Sequence, residues 1–315
     1  MVIRSGALLG WVQPPELPAT GGMLYQSWFG WLSNAPVISA WIALALVYLQ
    51  AIAVNFLADE FRILGERNWF PGLLYGLAAS AFPEYLFVSA PLVAATFVPV
   101  SIWKIFAAYQ KPNVHTAILD SGLWISVGSL FYPPLIWVHL SAFIGLTVVR
   151  VFRFREMVVY LLGVLIPLIW AWLWYFWLDK GGTFRDTQWS ALLQIFNFQM
   201  IWTTGTWLNW SMLAFFAVLF LLGLPSVSGK KGIQLQKMVS VLFWFLVAGI
   251  LTTILQHDWY WANWIIPISS LAILLALGYQ AMLKKWWVEL VHLAVFLFVL
   301  FIQYAPVLIP NLPNK

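Results

Sequence analysis

The sequence predicts an all-α, polytopic transmembrane helical bundle of about ten spans, with an interfacial amphipathic helix on its outer side. Three observations predict it. Of 315 residues, 63% are hydrophobic and only 9% are charged, against about 25% charged in an ordinary soluble domain. So few charges cannot cover a soluble protein of this size, and the apolar content excludes the disordered and fibrous classes too. The apolar residues also fall into runs near the roughly 20 that a bilayer crossing requires. Ten such runs use about 200 residues and leave roughly 115 for loops and ends, which is too few for a sizeable soluble domain.

Residues 1–35 read as an irregular interfacial or re-entrant segment. Two short apolar stretches there are separated by Pro14, Pro15, Pro18, Gly21 and Gly22. Arg4 precedes no apolar run long enough for a cleavable signal peptide. A single transmembrane domain then covers 36–304, and 305–315 form a short tail. The predicted spans are 37–57, 69–88, 91–109, 114–132, 133–152, 157–178, 208–224, 238–255, 261–282 and 286–304. Pro71 suits the start of the second, where a missing N–H costs nothing. Pro133 and Pro134 make the fourth-to-fifth turn because they cannot continue a helix. The stretch 187–202 differs from the spans. Thr187, Ser190, Gln194 and Asn197 form a polar stripe at helical spacing among Trp, Leu, Ile and Phe, the pattern of a helix lying in the interface. No internal repeat is visible.

Orientation follows from the basic residues. One set of loops and span ends holds Arg62, Arg67, Lys104, Lys111, Arg150, Arg153, Arg155, Lys230, Lys231, Lys237, Lys284 and Lys285. The other holds Arg4, Lys180, Arg185 and Lys315. The first set should be cytoplasmic. The net charge of +5 therefore reflects loop topology and does not point to nucleic acid.

An acid inside a span is costly and is usually paired or functional. Asp120 sits about two turns inside the fourth span, within reach of Lys104, Arg150, Arg153 and Arg155. Two readings stand: a cationic pocket for a lipid phosphate or anion, with Asp120 orienting an arginine, or a structural ion pair beside topology anchors. The run Arg150 to Glu156 holds three arginines in six residues, a set suited to anionic headgroups. Glu16, Glu84 and Asp258 are the acids placed for catalysis on the outer side, Asp258 beside His257. Asp59 and Glu60 fall on the inner side. The four histidines lie at different depths, so they do not suggest one metal centre.

Tryptophan is abundant, with 22 residues. Between positions 170 and 264 most of them gather at the outer side, among them Trp172, Trp189, Trp202 and Trp259. An aromatic belt is the ordinary explanation. A belt populates both leaflets, however, and this one is lopsided. The alternative is a platform for a prenyl chain, a sugar ring or a partner helix, which rigid aromatic area suits. There is no cysteine, so thiolate metal sites, iron–sulfur clusters and disulfides are excluded. No Gly-rich phosphate loop, serine nucleophile motif or HExxH occurs, and no cofactor is called for.

The motifs Leu119-Asp120-Ser121-Gly122 and Leu130-Phe131-Tyr132-Pro133-Pro134, with the run Arg150 to Glu156, Gly163 and Pro167, carry a resemblance. So does the stretch 69–109, and Ile266-Pro267-Ile268-Ser269 is a weaker echo. Over about 69–180 the chain resembles a family of polytopic inner-membrane proteins of Bacteroidota known only as a domain of unknown function. The resemblance implies a bacterial inner (cytoplasmic) membrane and no assigned activity. Some members bear the name β-carotene monooxygenase; the scattered histidines argue against carrying that chemistry over. This chain departs from the family at its start, where members begin with a full apolar helix.

Three functions follow as expectations. The first is a non-catalytic subunit of an inner-membrane assembly, with lipids and other membrane or periplasmic proteins as partners. The second is a membrane glycosyltransferase using a polyprenyl-phosphate-linked sugar. The third is a lipid or anion flippase or transporter, gated by Asp120 and the arginine cluster.

Overall fold

The computed structural model describes residues 4–10, 21–109, 114–151, 153–193, 204–227, 232–256, 260–280 and 285–308. The chain is an all-helical membrane protein, with no strand among the described residues. Its helices are α1 (Ser5–Leu8), α2 (Met23–Phe29), α3 (Pro36–Glu60), α4 (Phe70–Ala78), α5 (Ala90–Ala95), α6 (Phe97–Ala107) and α7 (His115–Phe131). They continue with α8 (Val138–Val149), α9 (Phe154–Trp177), α10 (Gly181–Leu193), α11 (Thr204–Val227), α12 (Ile233–Ile254), α13 (Ile268–Gln280) and α14 (Lys285–Leu308). Five stretches are long and apolar enough to cross a bilayer: α3, α5 with α6, α9, the 206–223 part of α11, and α12. The predicted spans 69–88, 114–132, 133–152 and 261–282 correspond to the shorter helices α4, α7, α8 and α13, and 286–304 falls within the 24-residue α14. The predicted start of the interfacial helix, 187, falls inside α10, which begins at Gly181; residues 194–202 lie outside the described residues.

The largest departure from the predicted spans is at 69–88. Helix α4 stops at Ala78, and an irregular bend with one 3-10 turn (Pro83–Leu86) follows to Ser89. Pro83 is one cause: Phe82 before it is extended, at φ −109° and ψ 143°, as pre-proline residues prefer. A second break precedes α13, where a 3-10 turn (Trp261–Ile265) and Pro267 replace the first turns of the predicted span. Phe82 stacks on Trp261 at 5.5 Å, so the two irregular stretches pack on each other.

Non-helical backbone is tolerated at membrane depth only when protein groups satisfy it. In the 79–89 bend, side chains from distant helices supply the bonds. Arg4 donates to Ala79 O at 2.6 Å and to Ser80 Oγ at 3.1 Å. Gln303 on α14 donates to Ser80 O at 2.7 Å. Tyr25 donates to Val88 O at 3.0 Å, and Ser39 Oγ accepts from Val88 N at 2.9 Å. Burial pushes the Tyr25 phenol, on the short α2, up to about 12, so it remains a donor at neutral pH. Buried Gln50 on α3 does the same for the next helix: it donates to Leu92 O and Thr96 Oγ1 and accepts from Tyr75.

Small residues set the close approach of α7 and α9. A Cβ on Gly163 of α9 would lie 2.2 Å from Leu119 O of α7. The backbones therefore meet without side chains between them, as at small-residue interfaces in membranes. This contact fixes Asp120 of α7 relative to α9.

Candidate functional site

The structure divides the predicted cationic pocket into separate pairs. Lys104 stands in the last turn of α6, which packs on α7, and its Nζ lies 2.7 Å from Asp120 Oδ2. Asp120 thus orients a lysine and not an arginine. Arg150 ends α8 and reaches across the short connection to Glu156 in the first turn of α9, with Nη2 2.9 Å from Oε1. The same Glu156 carboxylate accepts from the Arg153 backbone N–H at 3.3 Å, and Glu156 is buried. The side chains of Arg153 and Arg155 are exposed. Lys237 of α12 donates to Val149 O at 3.1 Å, so it closes the end of α8. The arginines do not converge on Asp120, because the pairs are satisfied locally at the helix ends.

His139 belongs to a closed network. Ser126 donates to Val164 O at 2.8 Å, so its oxygen is left to accept from His139 Nε2 at 3.0 Å. His139 Nδ1 meets the Tyr160 hydroxyl at 2.8 Å, and that hydroxyl also reaches the His139 carbonyl oxygen at 3.2 Å. A serine whose proton is committed to a backbone carbonyl is not primed for attack. The network fixes α7, α8 and α9 together. His115 opens α7, and His292 lies on α14 near Phe70. His257 lies outside the described residues. Among the described residues no three His, Asp or Glu side chains gather as metal ligands.

Of the acids placed for catalysis, Glu84 alone is described; Glu16 and Asp258 lie outside the described residues. Glu84 is half-buried in the 3-10 turn Pro83–Leu86 of the bend. Its Oε2 and the neighbouring Tyr85 hydroxyl are enclosed without a hydrogen-bond partner among the described residues.

The aromatic platform is partly assembled. Trp202 and Trp259 lie outside the described residues, but Trp172 and Trp189 line one cavity of about 590 Å³ at the meeting of α9 and α10. Trp172 stacks on Phe176 at 5.4 Å with 26° between the rings. Asp179, Arg185, Gly181 and Gly182 complete the wall. Two contacts hold the helices around it. Buried Tyr175 and Phe184 stack at 5.4 Å, and Gln188 donates to Ser129 O at 2.5 Å. A second cavity, about 670 Å³, lies between α3 and α4 and is lined by Asp59, Glu60, Arg62, Glu66 and Arg67 among others. The two described non-glycine residues with left-handed backbone, Arg62 (φ 49°) and Asp179 (φ 56°), line these two cavities, one each.

Sequence reasoning concentrated on charged and aromatic residues and missed Gln50, Gln303 and Arg4. A signal was present: a glutamine inside an apolar run is itself an expensive intramembrane group. No family model, curated protein or solved structure matches the chain.

Proposed function

We propose that this chain is a non-catalytic subunit of a membrane protein assembly. In this reading it sits in the bacterial inner membrane, crosses it about ten times and keeps its lysine- and arginine-rich end in the cytoplasm. The observation that carries the reading is α9. Only 17% of its apolar window is buried, against 50% for α12 and 67% for 90–107. Toward its C-terminal end Trp170, Trp174 and Trp177 are 70%, 66% and 86% exposed. They recur at i, i+4 and i+7, on one face of the helix. Aromatic residues so placed are what association between proteins favours at its anchors. The paired charges at the opposite end and the closed histidine network support a scaffold more than a reaction centre.

The experiment is gentle extraction from the native membrane followed by native mass spectrometry, with a photo-crosslinking residue at Trp174. A companion protein at fixed stoichiometry, captured from position 174, is the expected result. A solitary chain that retains its full biological activity overturns the reading.

One observation favours a second reading, the glycosyltransferase using a polyprenyl-phosphate-linked sugar. Glu84 offers a carboxylate oxygen without a partner among the described residues, in the 3-10 turn of the bend, where a general base could stand. Normal glycan transfer by Glu84→Gln removes this reading. The flippase reading draws no support from the geometry, because Asp120 and Arg150 are each engaged elsewhere.

A further inference from the structure

We propose that the cavity between α9 and α10 is a binding site for a neutral saccharide. A pyranose ring presents C–H groups on its faces and hydroxyls around its rim. It is therefore recognised by a flat aromatic surface together with a few donors and acceptors beside it. The cavity supplies both. Trp172 and Phe176 lie stacked and exposed along one wall, and Trp189 is exposed on the opposite helix. Asp179 contributes carboxylate acceptors and Arg185 a planar set of donors. The volume, about 590 Å³, falls within the roughly 300–1,000 Å³ of small-molecule sites.

The charges select a neutral ligand. Asp179 balances Arg185 within the wall, and Arg185 also holds Asp186 at 3.2 Å. A phosphate or carboxylate would face the Asp179 carboxylate, and an ammonium group would face the guanidinium. The cavity is also kept open by the sequence. A Cβ at Gly182 would meet nothing within 4 Å, and one at Gly181 only Phe176, at 3.6 Å or more. Packing therefore does not demand glycine at either position. Their bareness leaves room for a ring to approach the backbone.

Asp179 adds an independent argument. It follows α9 in left-handed backbone, and Lys180 N–H reaches back to Tyr175 O at 2.9 Å. Glycine is the relaxed residue at such a helix end. An aspartate there keeps a strained conformation and, with it, a carboxylate in the cavity wall; observed strain of this kind points toward a functional role. The walls are pre-set by the Tyr175–Phe184 stack and the Gln188–Ser129 bond, so little ordering opposes binding.

This inference is separate from the subunit reading. Trp174 lies nearly opposite Trp172 around α9 at 100° per residue, so loss of partner capture in Trp174→Ala should leave saccharide binding unchanged. The test uses the full chain in lipid nanodiscs and saturation-transfer NMR with maltotriose and N,N′-diacetylchitobiose, and phosphocholine as the zwitterionic control. At least one saccharide should receive saturation at its ring C–H protons. Trp172→Ala should weaken it tenfold or more. Asp179→Gly should also weaken it while leaving the melting temperature equal or higher, which separates a ligand role from a folding role. No transfer to either saccharide, transfer that survives both substitutions, or stronger transfer to phosphocholine overturns the proposal.

Discussion

At the end of the bundle that carries most lysines and arginines, Asp120 lies 2.7 Å from Lys104 and Glu156 lies 2.9 Å from Arg150. At the end that carries the tryptophans, Glu84 and Asp179 form no ion pair among the described residues, and large aromatic side chains stand exposed. These two pairs are closed within the chain, although the same end also holds the cavity of about 670 Å³ lined by Asp59, Glu60, Arg62, Glu66 and Arg67. The second end leaves contact area and a cavity uncommitted. Both ends use residues that are expensive to place: the first pairs acids with bases, while the second spends Arg4 on the Ala79 and Ser80 oxygens and leaves Glu84 Oε2 without a partner among the described residues.

The largest expected effect tests one of the closed pairs. Glu156→Ala strands the Arg150 guanidinium and should cost about 3–5 kcal/mol, the usual loss when one member of a buried pair is removed. Thermal unfolding in a mild detergent measures it. Replacing both residues with apolar ones should recover most of the loss, since a well-packed apolar substitute is often neutral. Next is the bend. Arg4→Met leaves Ala79 O without its donor and should lower stability by about 1.5–3 kcal/mol, the range for hydrogen bonds to charged groups. Protease sensitivity around residue 80 should rise with it.

Smaller effects sharpen the contrast. The Lys104–Asp120 pair is half-buried, so Lys104→Met should cost about 1 kcal/mol or less, and high salt should shrink the difference from wild type further. A loss above about 3 kcal/mol would show that this pair is as enclosed as Arg150–Glu156. At the tryptophan-rich end, Trp174→Ala should change stability by no more than about 0.5 kcal/mol. It should nevertheless reduce recovery of a companion protein in native mass spectrometry. A large loss of stability with partner recovery intact would mean that Trp174 packs within its own chain and is not a docking residue.

Much of the helical layout was legible, because a bilayer crossing imposes its length on the sequence. Helices α3, α9 and α12 lie close to the predicted spans for that reason. The break after Ala78 was not legible, because Ala79 to Val88 is as apolar as a helix and Pro83 alone does not say where the backbone bonds go. Those bonds come from residues 75 and 223 positions away along the chain, a separation no local pattern encodes. The candidate site was half legible. Aromatic excess pointed to Trp172 and Trp189, but their meeting depends on the left-handed turn at Asp179 that leads from α9 into α10. The pairing of Arg150 with Glu156 was hidden in plain spacing: the run of arginines suggested a shared anion site, while the acid that ends the run satisfies one of them.

The bend between α4 and α5 has a consequence for biogenesis. Its Ala79 carbonyl is bonded by a residue near the start of this sequence and its Ser80 carbonyl by one near the end. During synthesis α4 and α5 enter the membrane long before Gln303 exists. Until α14 arrives, the Ser80 carbonyl must be held by water or by the insertion machinery. The early helices therefore enter before one of the bonds that completes this bend is available. A nascent chain halted before α14 would carry an unfinished centre, recognisable to whatever surveys membrane proteins for release or destruction.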